Sequence, residues 1–120
     1  MFAIAEKDTF NVKSVQAVLD EAASKARAAT ASFLANHVNG FSACGFAWVN
    51  VNGVRSNSKL GKTLALAGFR KDYTGALCLW NPSGHSTQCI TAKEIGAVAY
   101  AAVLRDQLGL ERCYAGSRMD

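Results

Sequence analysis

Cys44-Gly45-Phe46-Ala47-Trp48-Val49-Asn50-Val51-Asn52 alternates with a period of two. Successive side chains of a strand point to opposite faces, so Phe46, Trp48, Asn50 and Asn52 share one face while Ala47, Val49 and Val51 share the other. The stretch therefore predicts a strand that is buried on one face and turns polar towards its end. Upstream the period changes. Val12, Val15, Val18, Leu19, Ala22, Ala23, Ala26, Phe33 and Leu34 recur at helical spacing, predicting a helix over Val12–Val38, with Asn11 as its cap and Asn39-Gly40 as its left-handed stop. A helix followed by an alternating strand makes the chain α+β rather than all of one kind.

Downstream, Gly53–Ser58 reads as a loop and Lys59–Ala67 as a short helix ended by Gly68. Phe69–Tyr73, a Thr74-Gly75 turn and Ala76–Asn81 predict a β-hairpin. Pro82–Gln88 is a polar loop. Thr91-Ala92-Lys93-Glu94 fits a capping box that opens a second long helix, with Ile95, Val98, Ala99, Ala102 and Val103 on one face and Gly109 at its end. Leu110–Ala115 is the expected last strand. The simplest packing is a two-layer sandwich: two long helices on one face of a small mixed sheet of three or four strands.

With 120 residues, half of them hydrophobic and 18% charged, the chain suits one globular domain spanning residues 1–120 and not a disordered tail. Met1–Glu6 has neither the basic start nor the apolar length of a secretory signal, and Ala28–Val54 is too often interrupted by Asn, His and Gly to cross a membrane. A cytoplasmic protein with no membrane partner is expected. Cys44, Cys78, Cys89 and Cys113 form no CxxC pair and three lie in apolar runs, so they are expected as reduced thiols.

Charge is unevenly spread. Val54–Lys71 carries Arg55, Lys59, Lys62, Arg70 and Lys71, five of the 13 Lys/Arg and none of the nine Asp/Glu, and so accounts for the net charge of +4. Such a cluster attracts phosphate or another polyanion. Within it, Ser56-Asn57-Ser58-Lys59-Leu60-Gly61-Lys62-Thr63 matches the phosphate-binding GxxxxGK[ST] loop except at its first residue. Ser56 replaces the glycine that lets the backbone bend around phosphate, and no later strand ends in a magnesium-holding aspartate, so a nucleotide-hydrolysing loop is not expected. Backbone amides at the helix start, with Lys59 and Lys62, are the remaining phosphate-binding reading.

Trp80-Asn81-Pro82-Ser83-Gly84-His85-Ser86-Thr87-Gln88 gathers hydroxyls, amides and an imidazole at a strand exit, where binding loops often sit. It lacks a nucleophile elbow and a partner aspartate, and His85 with Cys89 supplies only two of four zinc ligands. No catalytic residue, metal or cofactor is assigned. Phe69 and Tyr73 flank Arg70 and Lys71, with Trp80 on the paired strand, and bases stack on aromatics while cations track phosphates. Alternation places Phe69, Lys71 and Tyr73 together, opposite Arg70 and Asp72. Arg118, in the terminal Tyr114–Asp120 stretch, is a further cation able to join this surface.

Cys44-Gly45-Phe46-Ala47-Trp48-Val49, Ser58-Lys59-Leu60-Gly61-Lys62, Gly68–Gly75, Trp80-Asn81-Pro82-Ser83-Gly84 and the ending Tyr114–Asp120 together resemble a group of small hypothetical proteins of tailed bacteriophages. The resemblance covers about Cys44 to the C-terminus. It implies a phage genome and the cytoplasm of an infected bacterium, and no mechanism.

The leading expectation is a non-enzymatic protein that binds a phosphate-bearing ligand, nucleic acid or nucleotide. Arg55, Lys59, Lys62, Arg70, Lys71 and Arg118 meet phosphate, Tyr73 and Trp80 stack on bases, and Asn81, Ser83 and His85 supply hydrogen bonds. Two other readings compete with it. One is a protein-binding inhibitor of a host or anti-phage defence enzyme; the other is a small hydrolase or transferase using His85 with Ser83 or Cys89. A homo-oligomer is also expected, through the alanine-rich helix or an open sheet edge.

Overall fold

The computed structural model describes residues 12–36, 44–85, 87 and 89–119. Seven elements follow one another: α1 (Val12–Asn36), β1 (Gly45–Val51), α2 (Lys59–Leu66), β2 (Arg70–Lys71), β3 (Leu77–Trp80), α3 (Ile90–Leu108) and β4 (Cys113–Met119). The strands form one four-stranded sheet in the order β2-β3-β1-β4. The long helices α1 and α3 lie on one side of it and share a core with Ala47, Val49 and Val51 of β1, so the α+β sandwich stands as expected. The proposed stops and cap at Asn11, Asn39 and Gly40 lie outside the described residues.

The sheet is not mixed. Each neighbouring pair is antiparallel, for a topological reason. The β1-α2-β2 and β3-α3-β4 crossovers each return the chain parallel to its starting strand. The two units are interleaved, so β3 sits between β1 and β2, and β1 sits between β3 and β4. Helical crossovers, which normally signal a parallel sheet, here leave every neighbour antiparallel.

The core combines Val15, Leu19, Ala22 and Ala26 of α1, Leu60 and Leu64 of α2, Phe69, Leu77 and Cys113, with Ala97, Tyr100, Ala101, Leu104 and Leu108 of α3. Helix α3 packs on β1 and β4 and also against α1, so it buries more than one face. This corrects the expected apolar stripe. Val98 is 55% exposed, while Gly96, Ala97 and Ala101 are buried. Small residues let α1 and α3 approach closely, and Thr30 Oγ1 donates to Ala92 O across that seam at 2.8 Å.

The expected capping box at Thr91 does not form. Helix α3 starts two residues earlier than such a box would place it, at Ile90, after an N-cap Cys89 that makes no side-chain cap bond. Glu94 instead accepts a hydrogen bond from the Ser117 hydroxyl of β4, tying the helix to the sheet edge. At the other end, Gly109 takes φ 67°, the left-handed stop the sequence predicts. The last strand begins at Cys113 rather than Leu110 because its register is set by full-length pairing with β1, from Val51↔Cys113 to Gly45↔Met119.

No disulfide joins the four cysteines. Burial pushes the Cys113 thiol up to about 11, against a smaller opposing pull from Arg105. Burial raises the Tyr100 hydroxyl as well. Both groups stay neutral in the folded chain and ionise first in the unfolded one. The Cys113 contribution to stability is therefore complete below the unfolded thiol value of 9.0 and is lost as pH rises towards about 11, while that of Tyr100 falls away only from about 10 upward. The unfolding temperature is expected to fall over that interval, and to fall less steeply in Cys113→Ala; equal slopes in the two proteins would remove Cys113 from the explanation.

Candidate nucleic-acid interface

The helices cover one face of the sheet, and the other face is built from the alternate residues. Directly paired residues share a face. Arg70, Cys78, Asn50 and Tyr114 therefore form one row across all four strands. Trp80, Trp48 and Gly116 form the next, and Phe46 with Arg118 a third. Lys71, Leu77, Val51 and Cys113 belong to the opposite, helix-covered side.

Aromatic rings dominate the uncovered face. The Trp48 and Trp80 rings lie 4.9 Å apart at a tilt of 41°. Phe46 meets Trp80 edge-on at 5.9 Å. Trp80 is 53% exposed, Tyr114 49% and Phe46 37%, so ring surface faces solvent at three points. Gly116 explains how the tryptophans lie: a Cβ there would come within 2.6 Å of Trp48 Nε1 and 2.7 Å of Cε2. The missing side chain lets the Trp48 indole rest on the backbone of β4.

Cations border the rings. The Arg118 guanidinium lies 6.0 Å from the Phe46 centroid and Arg70 is exposed at the β2 edge. Buried Lys93, from the first turn of α3, donates to Gly45 O at 2.9 Å and lies 5.5 Å from the Phe46 ring. This fixes the start of β1 and one ring of the face. Asn52 Nδ2 donates to the Tyr114 hydroxyl at 3.3 Å.

Trp48, Asn50, Asn52, Cys78, Trp80 and Tyr114 line a hollow of about 460 Å³, closed on one side by the β2–β3 turn. Asp72 holds that turn, accepting from Thr74 N at 2.8 Å, Thr74 Oγ1 at 2.6 Å and Ala76 N at 3.1 Å. These bonds, led by the Thr74 hydroxyl, keep its carboxyl below the usual aspartate value. Burial, reinforced by the Asp72 charge, pushes the Cys78 thiol on the hollow floor upward. It is a neutral apolar floor at physiological pH, unsuited to nucleophilic attack.

The residues singled out in the sequence are dispersed by the fold. Arg70, Trp80 and Arg118 reach the uncovered face, with wholly exposed Tyr73 on the hollow's rim. Phe69 is buried against Tyr100 instead of sharing a surface with Tyr73. Arg55 and Lys71 line a separate shallow cleft with Ser56, Asn57 and Gly75, beyond the same hairpin turn. Lys59 and Lys62 are exposed on α2.

The segment resembling a phosphate loop is a compact helix start. Ser58 caps α2 by accepting from Gly61 N at 3.0 Å and donating to Arg55 O at 2.6 Å. A Cβ at Gly61 would lie 2.1 Å from Arg55 O, so this glycine is needed for the turn's own packing. The loop after β3 is likewise occupied with itself. Asn81 Nδ2 donates to His85 O at 3.0 Å, His85 N to Ser83 Oγ at 3.2 Å, and Thr87 N to His85 Nδ1 at 3.0 Å. Ser83 is fully buried, and these bonds hold the loop that leads into α3.

Among the described residues, no three His, Cys, Asp or Glu side chains gather as a metal site, and no helix is long and apolar enough to cross a membrane. Sequence reasoning did not select Phe46, Trp48, Asn50, Asn52 or Tyr114 as ligand contacts. The signal for the first four was the alternation in β1; Tyr114 joins them through the β1–β4 register. Comparison with protein-family models, curated proteins and solved structures finds no match for the chain.

Proposed function

We propose that the uncovered sheet face binds single-stranded nucleic acid, in the cytoplasm of a bacterium infected by the tailed phage whose genome encodes this chain. One observation carries the reading: a sheet face that none of the described helices covers, on which exposed Trp80, Tyr114 and Phe46 sit beside Arg70 and Arg118. Unstacked bases rest on such rings, and guanidinium groups at their edge take the phosphates. Asn50 and Asn52 offer amide donors and acceptors to base edges in the hollow. Arg55 and Lys71 lie where a strand leaving the face over the hairpin turn meets positive charge again. Binding, with no chemical step, is the activity this surface supports.

Both tryptophans of the chain belong to this face, which makes their emission a direct reporter. Titration with single-stranded oligonucleotides is expected to quench it, with an affinity that falls as salt rises by a slope of about 0.7 per phosphate contacted. A double-stranded oligonucleotide of the same length should bind more weakly, since its bases are already stacked. Unchanged emission with DNA and RNA strands at low salt would reject the proposal and leave a protein ligand as the occupant to pursue.

A further inference from the structure

The two edges of the sheet differ in a way that points to a second copy of this chain. On one side β2 is two residues long, and both are exposed cations, Arg70 and Lys71. Short, charged edges resist further pairing. On the other side β4 runs for seven residues, has no proline or lysine, and pairs with β1 in unbroken register. Among the described residues, two charges are all that protects this edge, Arg118 on the strand itself and Arg105 at its first carbonyl.

Register shows which groups of β4 are available. Asn52 N donates to Arg112 O at 3.0 Å, so Val51↔Cys113 is a pair without direct hydrogen bonds and Asn50↔Tyr114 is a bonded pair. Tyr114, Gly116 and Arg118 therefore turn their N–H and C=O towards β1. Cys113, Ala115, Ser117 and Met119 turn theirs outward. Arg105 Nη1 takes the first of these, donating to Cys113 O at 2.7 Å. Among the described residues, Ala115, Ser117 and Met119 present the rest to solvent.

We propose that the chain dimerises by antiparallel pairing of β4 with β4 of a second copy, on a two-fold axis at Ser117. That register pairs Ser117 with Ser117 and Ala115 with Met119, about six backbone hydrogen bonds, and leaves Cys113 to Arg105. It also sets Arg118 of each copy opposite Gly116 of the other, on the uncovered face. Gly116 has no side chain to obstruct it, and the Trp48 indole rests there, so each guanidinium meets the partner's indole as a cation–π pair. A two-fold axis normal to the sheet keeps both uncovered faces on the same side, giving one eight-stranded surface. The inference stands on edge geometry and does not require the proposed ligand.

The test is sedimentation equilibrium of the whole chain from 1 to 200 μM. Wild type is expected to be dimeric. Ser117→Pro removes an outward N–H without touching the β1 ladder, and is expected to be a folded monomer by circular dichroism. Ser117→Ala, which loses only the hydroxyl bond to Glu94, should remain dimeric. Should Ser117→Pro fail to fold, Met119→Pro removes the same kind of donor at an exposed strand end, and its dimer should dissociate about tenfold more readily. A wild-type monomer at 200 μM, or a proline variant of unchanged dimer affinity, overturns the inference.

Discussion

Gly96→Val is expected to destabilise the protein by about 3 kcal/mol, at the upper end of overpacking penalties. A Cβ at this position would stand 2.5 Å from Thr30 Oγ1, 2.9 Å from Ser83 Cβ and 3.2 Å from Ala26 O. None of these neighbours has room to yield. Thr30 is held by its bond to Ala92 O, Ser83 is fully buried, and Ala26 O is helix backbone. Valine's better helix propensity returns only a few tenths of a kcal/mol, so steric strain decides the sign. Urea unfolding measures it, with an unchanged slope showing that the denatured state is not involved. A loss below about 1 kcal/mol would mean that the α1–α3 seam has slack that its small residues do not suggest.

The second large effect concerns the surface. Trp80→Ala is expected to weaken binding of single-stranded oligonucleotides by between tenfold and a hundredfold, the usual range for one stacking ring. Its effect on the unfolding temperature should be small, because Trp80 is 53% exposed and its ring contacts are Trp48 and Phe46 on the same face. Arg118→Ala should act differently, lowering the salt slope by about 0.7 for one lost phosphate contact. An unaltered affinity in Trp80→Ala, measured by fluorescence anisotropy of a labelled strand, would remove stacking from the proposal.

The sequence disclosed the architecture better than the site. Helix α2 was predicted to start at Lys59 and does so, because Ser58 is a good N-cap and Leu60 and Leu64 face the core. The period-two pattern of β1 separated its two faces correctly, but nothing local says which of them the helices cover. Val49 and Val51 go to the core with α1 and α3, so exposed Phe46 and half-buried Trp48 are left on the opposite face. The basic window is dispersed in space for a related reason. Charge along a chain is one-dimensional, and a strand sends Arg70 to one face and Lys71 to the other, while Lys59 and Lys62 leave on a helix. Tyr114 was invisible as a site residue because its place depends on pairing with Asn50, far away in sequence.

The interleaved strand order also governs when this protein can come into being during synthesis. Strand β1 emerges before either of its partners, β3 and β4, and the whole of β1 waits for residues up to Met119. Until then its apolar side has no complete sheet to join, and among the described residues the hairpin of β2 and β3 is the one local strand pairing. Closing such distant contacts is slow compared with forming a helix. The nascent chain is thus obliged to carry an unfinished central strand from the emergence of β1 until that of β4, exposed to other nascent chains and to chaperones alike.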